Sequence, residues 1–209
     1  MFIKYLFSDP RLFFSAGLIV VLSICCHEYM HALAALKNGD PTAADNGHLT
    51  LNPLKQMGWF SLIMFCFLGL AWGQVPVDHS RMKHKFSPLL VSLAGPVTNL
   101  VLSLIFLVLS YFTIRFTGNG FAFAMLFYGA QINLVLFVLN MLPVPGLDGW
   151  TVVEYFLIRR GRPLPEFVNG AIWIFMVAVF IFIDKIYQAA SYVCQEAFVL
   201  LLRLGGHFG

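Results

Sequence analysis

Three residues in the stretch "HEYMH" have types and spacing that suit metal chemistry: His27, Glu28 and His31. Positions four apart share one face of a helix, so the two imidazoles can reach a single ion. Glu28 is rotated to the side of that face, where it can accept a proton from a metal-bound water. The pattern alone is weak, because it fixes only three positions and also fits two core histidines beside a surface glutamate.

The surroundings of Glu28 favour a metal site over that alternative. No other charged residue lies between Arg11 and Lys37, and this apolar run is long enough to form a membrane-spanning helix. We expect a retained span and not a signal peptide, whose apolar region is shorter. An ionised acid inside a span costs about 3 kcal/mol or more, so such acids usually mark functional sites.

The whole chain has the composition of a membrane protein. Of its 209 residues, 59% are hydrophobic and 11% are charged, and the mean hydropathy is +0.81. The uncharged segments predict an all-α polytopic membrane protein with about four to six transmembrane helices. We expect segment 57–77 to be re-entrant or a short membrane-embedded element, and the weak alternation of "GHLTLNP" (residues 47–53) allows a small β-hairpin. A net charge of +3 without a basic patch argues against a nucleic-acid partner.

A catalytic zinc site needs a third protein ligand and an open position for water. The other histidines lie in polar or terminal stretches, and most acids lie in loops, which leaves Asp148 and Glu154. Asp148 closes an apolar run within "NMLPVPGLDGW", where prolines and glycines fix the backbone. Irregular backbone at membrane depth is tolerated only where it lines a cavity or is buried in protein. Asp148 is therefore the better candidate, and we expect Glu154 to be an interfacial acid near Arg159 and Arg160.

The charge balance supports the same ligand set. The charges of one Zn²⁺ ion and the carboxylates of Asp148 and Glu28 sum to zero, with both histidines bound as neutral imidazoles. A low-dielectric site can hold a neutral cluster far more readily than a charged one. We therefore expect one Zn²⁺ ion per chain.

Several motifs occur in an order that resembles a known family. "HEYMH" is followed by "NGDPTA", "LNP", "AGPVTN" and "NMLPVPGLDG". From about Ser23 to Gly149 this combination resembles the site-2 protease family of intramembrane zinc metalloproteases, most of all its short bacterial members without PDZ or CBS domains. Such members often read "NPLKHID" where this chain reads "NPLKQMG", so that Gln56 stands in place of a histidine.

The resemblance implies a role for each of six residues. Glu28 would be the catalytic base, and Asn140 would hold the substrate backbone or the oxyanion. Asn99, in "AGPVTN", is a weaker candidate for substrate binding or for support of the site. The implied zinc ligands are His27, His31 and Asp148.

The resemblance also implies regulated intramembrane proteolysis of a transmembrane protein or peptide within the lipid bilayer. The substrate would unwind locally and be held as an added strand, with residues 47–53 as the candidate edge. We expect one integral membrane peptidase domain over residues 1–209, with its core at 12–158 and C-terminal helices in 159–209.

Counts of lysine and arginine alone do not decide how the chain is oriented, but the zinc ligands do. All three must come within about 2 Å of one ion, which is easiest if the first span and the span from about Phe121 run in the same direction. A re-entrant segment 57–77 allows this arrangement. The positive-inside rule then places the active site toward the cytoplasmic side of a bacterial plasma membrane.

Two other functions remain open on the sequence alone. A metal transporter would need a chain of polar residues across the membrane, and this sequence shows one acid–histidine cluster. A non-catalytic metal-binding membrane protein would not need the base, and here the base and three ligands are all present. A haem protein is disfavoured, because histidines four apart on one helix cannot be opposite axial ligands.

Overall fold

The described part of the protein is built almost entirely from α-helices. The structure, a computed structural model, describes residues 7–159 and 167–206. Single helical turns lie at Thr42–Asp45 and Pro53–Gln56, and a 3₁₀ turn lies at His79–Arg81. The main helices are α1 (Pro10–Lys37), α2 (Gly58–Leu68), α3 (Ser87–Thr117), α4 (Gly120–Asn140), α5 (Asp148–Arg159) and α6 (Phe167–Gly206).

Three of these helices, α1, α3 and α4, are long and apolar enough to cross a membrane. They are candidates by length and composition within the described residues. Many of their large apolar side chains are exposed, including Leu18, Leu104 and Phe112, as expected for helices that face lipid. The expectation of an all-α polytopic membrane protein is confirmed.

Helix α3 lies at the centre and contacts α1, α4, α5 and α6. Its inward face carries small residues, including Gly95, Ser92, Ser103 and Ser110, which let neighbouring backbones come close. The Ser103 hydroxyl donates a hydrogen bond to the Ala130 carbonyl at 2.8 Å and so ties α3 to α4. This close packing brings α1, α3 and α5 together at one place.

Helix α2 cannot cross a membrane. Its 11 residues extend about 16 Å, roughly half of the 30 Å hydrocarbon core. After α2, residues 69–78, here called the strap, return toward α1 without forming a helix or a strand. The Ser61 hydroxyl of α2 bonds both the backbone N–H and the carbonyl of Trp72 in the strap. This arrangement fits the short membrane-embedded element expected for 57–77.

The expected small β-hairpin at residues 47–53 is wrong, and no strand occurs within the described ranges 7–159 and 167–206. The buried Gln56 side chain donates to the carbonyls of His48 and Thr50 at 2.8 and 2.5 Å. Asn52 caps the next helical turn by accepting from the Leu54 N–H at 3.0 Å. These local bonds occupy polar groups that a strand partner would otherwise use. The residue that departs from the family pattern thus organises this loop.

Candidate metal centre

Three side chains converge where α1 meets the start of α5. The Nε2 atoms of His27 and His31 lie 3.0 Å apart. The Asp148 carboxylate reaches both, with Oδ2 at 3.1 Å from His27 Nε2 and Oδ1 at 3.2 Å from His31 Nε2. Within the described residues this is the one group of three or more metal-ligating side chains whose ligand atoms lie close enough to share an ion. The structure thus brings together the three ligands chosen from the sequence, although Asp148 lies more than a hundred positions from the two histidines.

The spacing of these atoms suits a tetrahedral zinc ion. Ligand atoms at 2.0–2.1 Å from a tetrahedral centre lie about 3.3 Å from one another. The separation of the two Nε2 atoms, 3.0 Å, and the distances of 3.1 and 3.2 Å from them to the two Asp148 oxygens are close to that value. Two nitrogens and one carboxylate also leave a fourth position for water, as in catalytic zinc sites. The residues present therefore fit the ion.

The far nitrogen of each imidazole faces an oxygen acceptor. His31 Nδ1 donates to the Val91 carbonyl at 2.7 Å, and His27 Nδ1 donates to the Asn99 side-chain oxygen at 2.5 Å. A neutral imidazole that donates from Nδ1 has its lone pair on Nε2. Both Nε2 atoms therefore point bare lone pairs at the Asp148 carboxylate. A convergence of acceptors with this geometry is complementary to a cation.

Gly95 of α3 is required beside the two imidazoles. A Cβ atom at position 95 would overlap the Nε2 atoms of both His27 and His31. The missing side chain therefore provides the space in which an ion and its ligands can lie. Within "AGPVTN" the family resemblance pointed to Asn99, but it did not reveal this role of the glycine.

Asp148 is held by its position at the first turn of α5. The Ser92 hydroxyl of α3 donates to its backbone carbonyl at 2.6 Å. An ionised Asp148 carboxylate at this helix N-terminus is also favoured by the helix dipole.

Glu28 lies in the same cavity, buried against the strap. Gly73 of the strap is so close that a Cβ atom there would overlap the Glu28 side chain. The strap is held in this position by bonds on both sides of Gly73. Trp72 is bound by Ser61, and the Gln74 N–H donates to the Gln56 carbonyl at 3.0 Å. No sequence pattern predicts this contact, because Glu28 and Gly73 belong to separate segments with no shared periodicity.

A cavity of about 680 Å³ surrounds these groups. Its walls come from α1, the strap, α3 and the junction of α4 with α5, and they are mostly apolar. Asn140, the last residue of α4, lines the same cavity, as do His79 and Thr151. The structure thus places Asn140 in the wall of the cavity that holds Glu28 and Asp148.

Asn99 and Glu154 have partners of their own. Asn99 is almost fully buried, and both ends of its amide are bonded, one to His27 and the other to Asn133. Glu154 accepts a hydrogen bond from the Trp150 indole at 2.7 Å, one turn along α5. Its expected neighbour Arg160 lies outside the described residues, and the side chain of Arg159 does as well.

Comparisons with known proteins agree with these features. The sequence model of peptidase family M50 matches residues 115–183, which include Asn140 and Asp148. YwhC of Bacillus subtilis is 38% identical over 148 residues, which is 65% of each chain. Rip2 of Mycobacterium tuberculosis is 33% identical over 141 residues, 64% of this chain and 54% of the relative. MJ0611 of Methanocaldococcus jannaschii is 29% identical over 157 residues, 73% of this chain and 78% of the relative.

All three relatives carry the name "Putative zinc metalloprotease". The matched region spans about two thirds of the length of YwhC and about half that of Rip2. No solved structure matches the chain.

Proposed function

We propose that this chain, which belongs to peptidase family M50, the site-2 protease family, is a zinc metalloendopeptidase that cleaves transmembrane segments of membrane proteins. One observation carries the proposal most directly. Two imidazole nitrogens and a carboxylate converge at 3.0 to 3.2 Å beside a second carboxylate, inside a cavity next to helices long enough to span a membrane.

The proposed chemistry assigns one task to each residue. Zinc, when bound, would supply Lewis acidity and lower the pKa of a coordinated water, so that the water can lose a proton at neutral pH. His27, His31 and Asp148 would hold the ion. Glu28 takes the proton from the attacking water and passes it to the leaving amine. Asn140 donates from its amide to the substrate backbone or the oxyanion on the cavity wall.

The apolar burial of the site favours the proposed role of Glu28 in proton transfer. Its side chain is surrounded by the cavity wall and by Gly73. Exclusion of bulk water strengthens the electrostatic interactions of the carboxylate with the charges that develop in the reaction. The total charge of the ion and the two acids is zero, so the site is tolerated at low dielectric.

The proposed substrate is a transmembrane helix that unwinds locally. A helical peptide bond is shielded by its own hydrogen bonds, so the substrate must expose its backbone before attack. Residues 47–53 were the sequence-based candidate for pairing with it, but their carbonyls are occupied by Gln56. The strap is the better edge, because Trp72 and Gln74 bond to α2 and Gln56 on one side while Gly73 faces Glu28.

The proposed location is a bacterial plasma membrane, with the site toward the cytoplasm. The membrane assignment is supported by the three candidate spans. The orientation follows from the positive-inside rule together with ligands contributed near the C-terminal ends of both α1 and α4. A cysteine-accessibility assay on intact cells, with reporters at Lys37 and at Gly118, would test this orientation. Labelling of position 118 alone from outside the cell would support it, and labelling of position 37 would contradict it.

Reconstitution tests the protease against a metal transporter. The purified chain is placed in lipid vesicles with a candidate transmembrane substrate, and both cleavage and zinc entry into the vesicles are measured. We expect cleavage that a chelator stops and that added zinc restores, without zinc flux. Zinc flux without cleavage would favour the transporter, and bound zinc with neither activity would favour a non-catalytic metal-binding protein.

A further inference from the structure

A chain of hydrogen bonds extends from the metal centre into the packed interior between α1, α3 and α4. His27 Nδ1 faces Asn99 Oδ1 at 2.5 Å, and the Asn99 amide N–H₂ donates to Asn133 Oδ1 at 3.0 Å. The Asn133 amide N–H₂ donates to the Ser23 hydroxyl at 2.9 Å and to the Gly129 carbonyl at 2.8 Å. Ser23, Asn99 and Asn133 are each 1% exposed or less.

Ser23 and Gly129, the groups at the far end from the metal centre, determine the direction of every hydrogen bond in this series. The Ser23 hydroxyl donates its one hydrogen bond to the Ile19 carbonyl at 2.7 Å, so it can only accept from Asn133. The Gly129 carbonyl can also only accept. The Asn133 N–H₂ group must therefore point toward Ser23 and Gly129, and its oxygen must point toward Asn99.

The orientation of the Asn133 amide in turn determines that of the Asn99 amide beside the metal centre. Because Asn133 presents an oxygen, Asn99 must turn its N–H₂ group toward it and its own oxygen toward His27. An oxygen in that position requires a proton on His27 Nδ1 and leaves the lone pair on Nε2. Asn99 alone could present either end of its amide to the ring. Its neighbour Asn133 removes that choice.

We propose that Asn133 and Ser23 are positioning residues that hold His27 in the one neutral tautomer able to bind zinc through Nε2. The proposal rests on the proposed function and adds residues that touch neither the ion nor the substrate. Without Asn133, the Asn99 amide can rotate and donate to Nδ1, which moves the ring proton to Nε2 and blocks ligation. Residues that orient metal-binding histidines in this way commonly change metal affinity about 10- to 100-fold.

The test compares two pairs of variants in the purified full chain. Asn133→Leu removes the amide from α4, and its control Gln131→Leu removes another buried amide of α4, which bonds Ser191 and Tyr187 instead. Ser23→Ala removes a buried hydroxyl, and its control Ser103→Ala removes a buried hydroxyl that donates to the Ala130 carbonyl instead. Zinc affinity is measured by competition with a chromophoric chelator.

We expect Asn133→Leu to weaken zinc binding about 10- to 100-fold and Ser23→Ala to weaken it by a smaller factor, about 3- to 10-fold. Both controls should stay within about twofold of the wild type. The ¹⁵N chemical shifts of the His27 ring in zinc-free protein give a second readout, which should show Nδ1–H in the wild type and a tautomer mixture in Asn133→Leu. A general loss of stability would not produce that mixture.

The outcomes separate the two proposals. If the wild type binds zinc and Asn133→Leu binds it as tightly, the positioning role is wrong while the proposed function stands. If Asn133→Leu and Gln131→Leu weaken binding equally, the effect is structural and the positioning role is also wrong. If Asn133→Leu cannot be recovered, unchanged affinity in Ser23→Ala overturns the proposal. If the wild type itself binds no zinc, the proposed function fails first.

Discussion

Gly73 lies directly against the Glu28 carboxylate, although the two residues come from different segments of the chain. The contact places a backbone with no side chain over the proposed base. It links the chemistry of α1 to the strap, whose bonds to Ser61 and Gln56 hold it in position. The strap therefore both covers Glu28 and borders the space where a substrate would bind.

Gly73→Ala should lower kcat/KM for a transmembrane substrate by at least about tenfold, because the added methyl group displaces Glu28 from its position. Zinc content should remain that of the wild type, since the atoms nearest to an added Cβ at position 73 all belong to Glu28, which is not a ligand. Gly120→Ala is the matched control, as no atom lies near a Cβ there. Wild-type kinetics in Gly73→Ala would show that the strap does not constrain the base.

Gly95→Ala should abolish tight zinc binding, because its methyl group would overlap both ligating nitrogens. Zinc per chain after dialysis against a weak chelator measures the effect. Gly17→Ala adds the same methyl group to α1 with only ordinary contact to Phe65 at 3.7 Å, and it should retain zinc. Equal zinc content in the two variants would contradict the assigned geometry.

Asp148→Asn should lose most bound zinc and activity, because a neutral amide replaces the one anionic ligand. Glu154→Gln changes an acid six residues further along, which accepts a hydrogen bond from Trp150, and it should keep both. Zinc analysis and cleavage assays on the two proteins distinguish the acids. Loss of zinc in Glu154→Gln with retention in Asp148→Asn would reverse the ligand assignment.

Asp40 provides a pH-dependent tie between the end of α1 and the strap. Burial raises its pKa, but hydrogen bonds from Thr42 and from the Asp78 N–H outweigh burial and lower the pKa below its ordinary value. A lowered folded-state pKa means that the stabilisation is complete above the unfolded pKa of about 3.9 and is lost as the pH falls through the folded value.

Asp40→Asn should therefore lower the free energy of unfolding by about 1 to 3 kcal/mol at pH 7, because an amide N–H₂ replaces one of two acceptor oxygens. The difference from the wild type should shrink as the pH falls below about 4. Denaturation curves at several pH values measure it, with the exposed Asp45→Asn as control. A difference that stays constant with pH would show that the charge of Asp40 has no part in it.

The sequence predicts the parts of the site that depend on residue spacing, on charge in an apolar run and on ligand count. His27 and His31 fall on one helix face by their spacing alone, and the cost of a charge in an apolar run singles out Glu28. Asp148 follows from ligand count and charge balance, which hold whatever the details of the fold. These arguments need only short-range geometry and the low dielectric of the membrane.

The remaining features depend on contacts between distant segments. The strand expected at 47–53 is absent because Gln56 supplies competing local bonds, and a weak alternation of apolar residues cannot reveal them. Gly73 and Gly95 matter because they have no side chain, and only the packed structure shows which groups lie against them. Asn133 did carry a signal, since a polar amide inside a span usually has a partner, but the sequence does not say which one.

The most direct test of the account compares wild-type protein with Glu28→Gln, each purified and incubated with the same transmembrane substrate. We predict about one zinc per chain in both proteins, because Glu28 is not a ligand. The rate of cleavage should be at least about 100-fold lower in Glu28→Gln than in the wild type. Equal cleavage by the two proteins, or no zinc in active wild-type protein, would contradict the assignment of a zinc peptidase with Glu28 as its base.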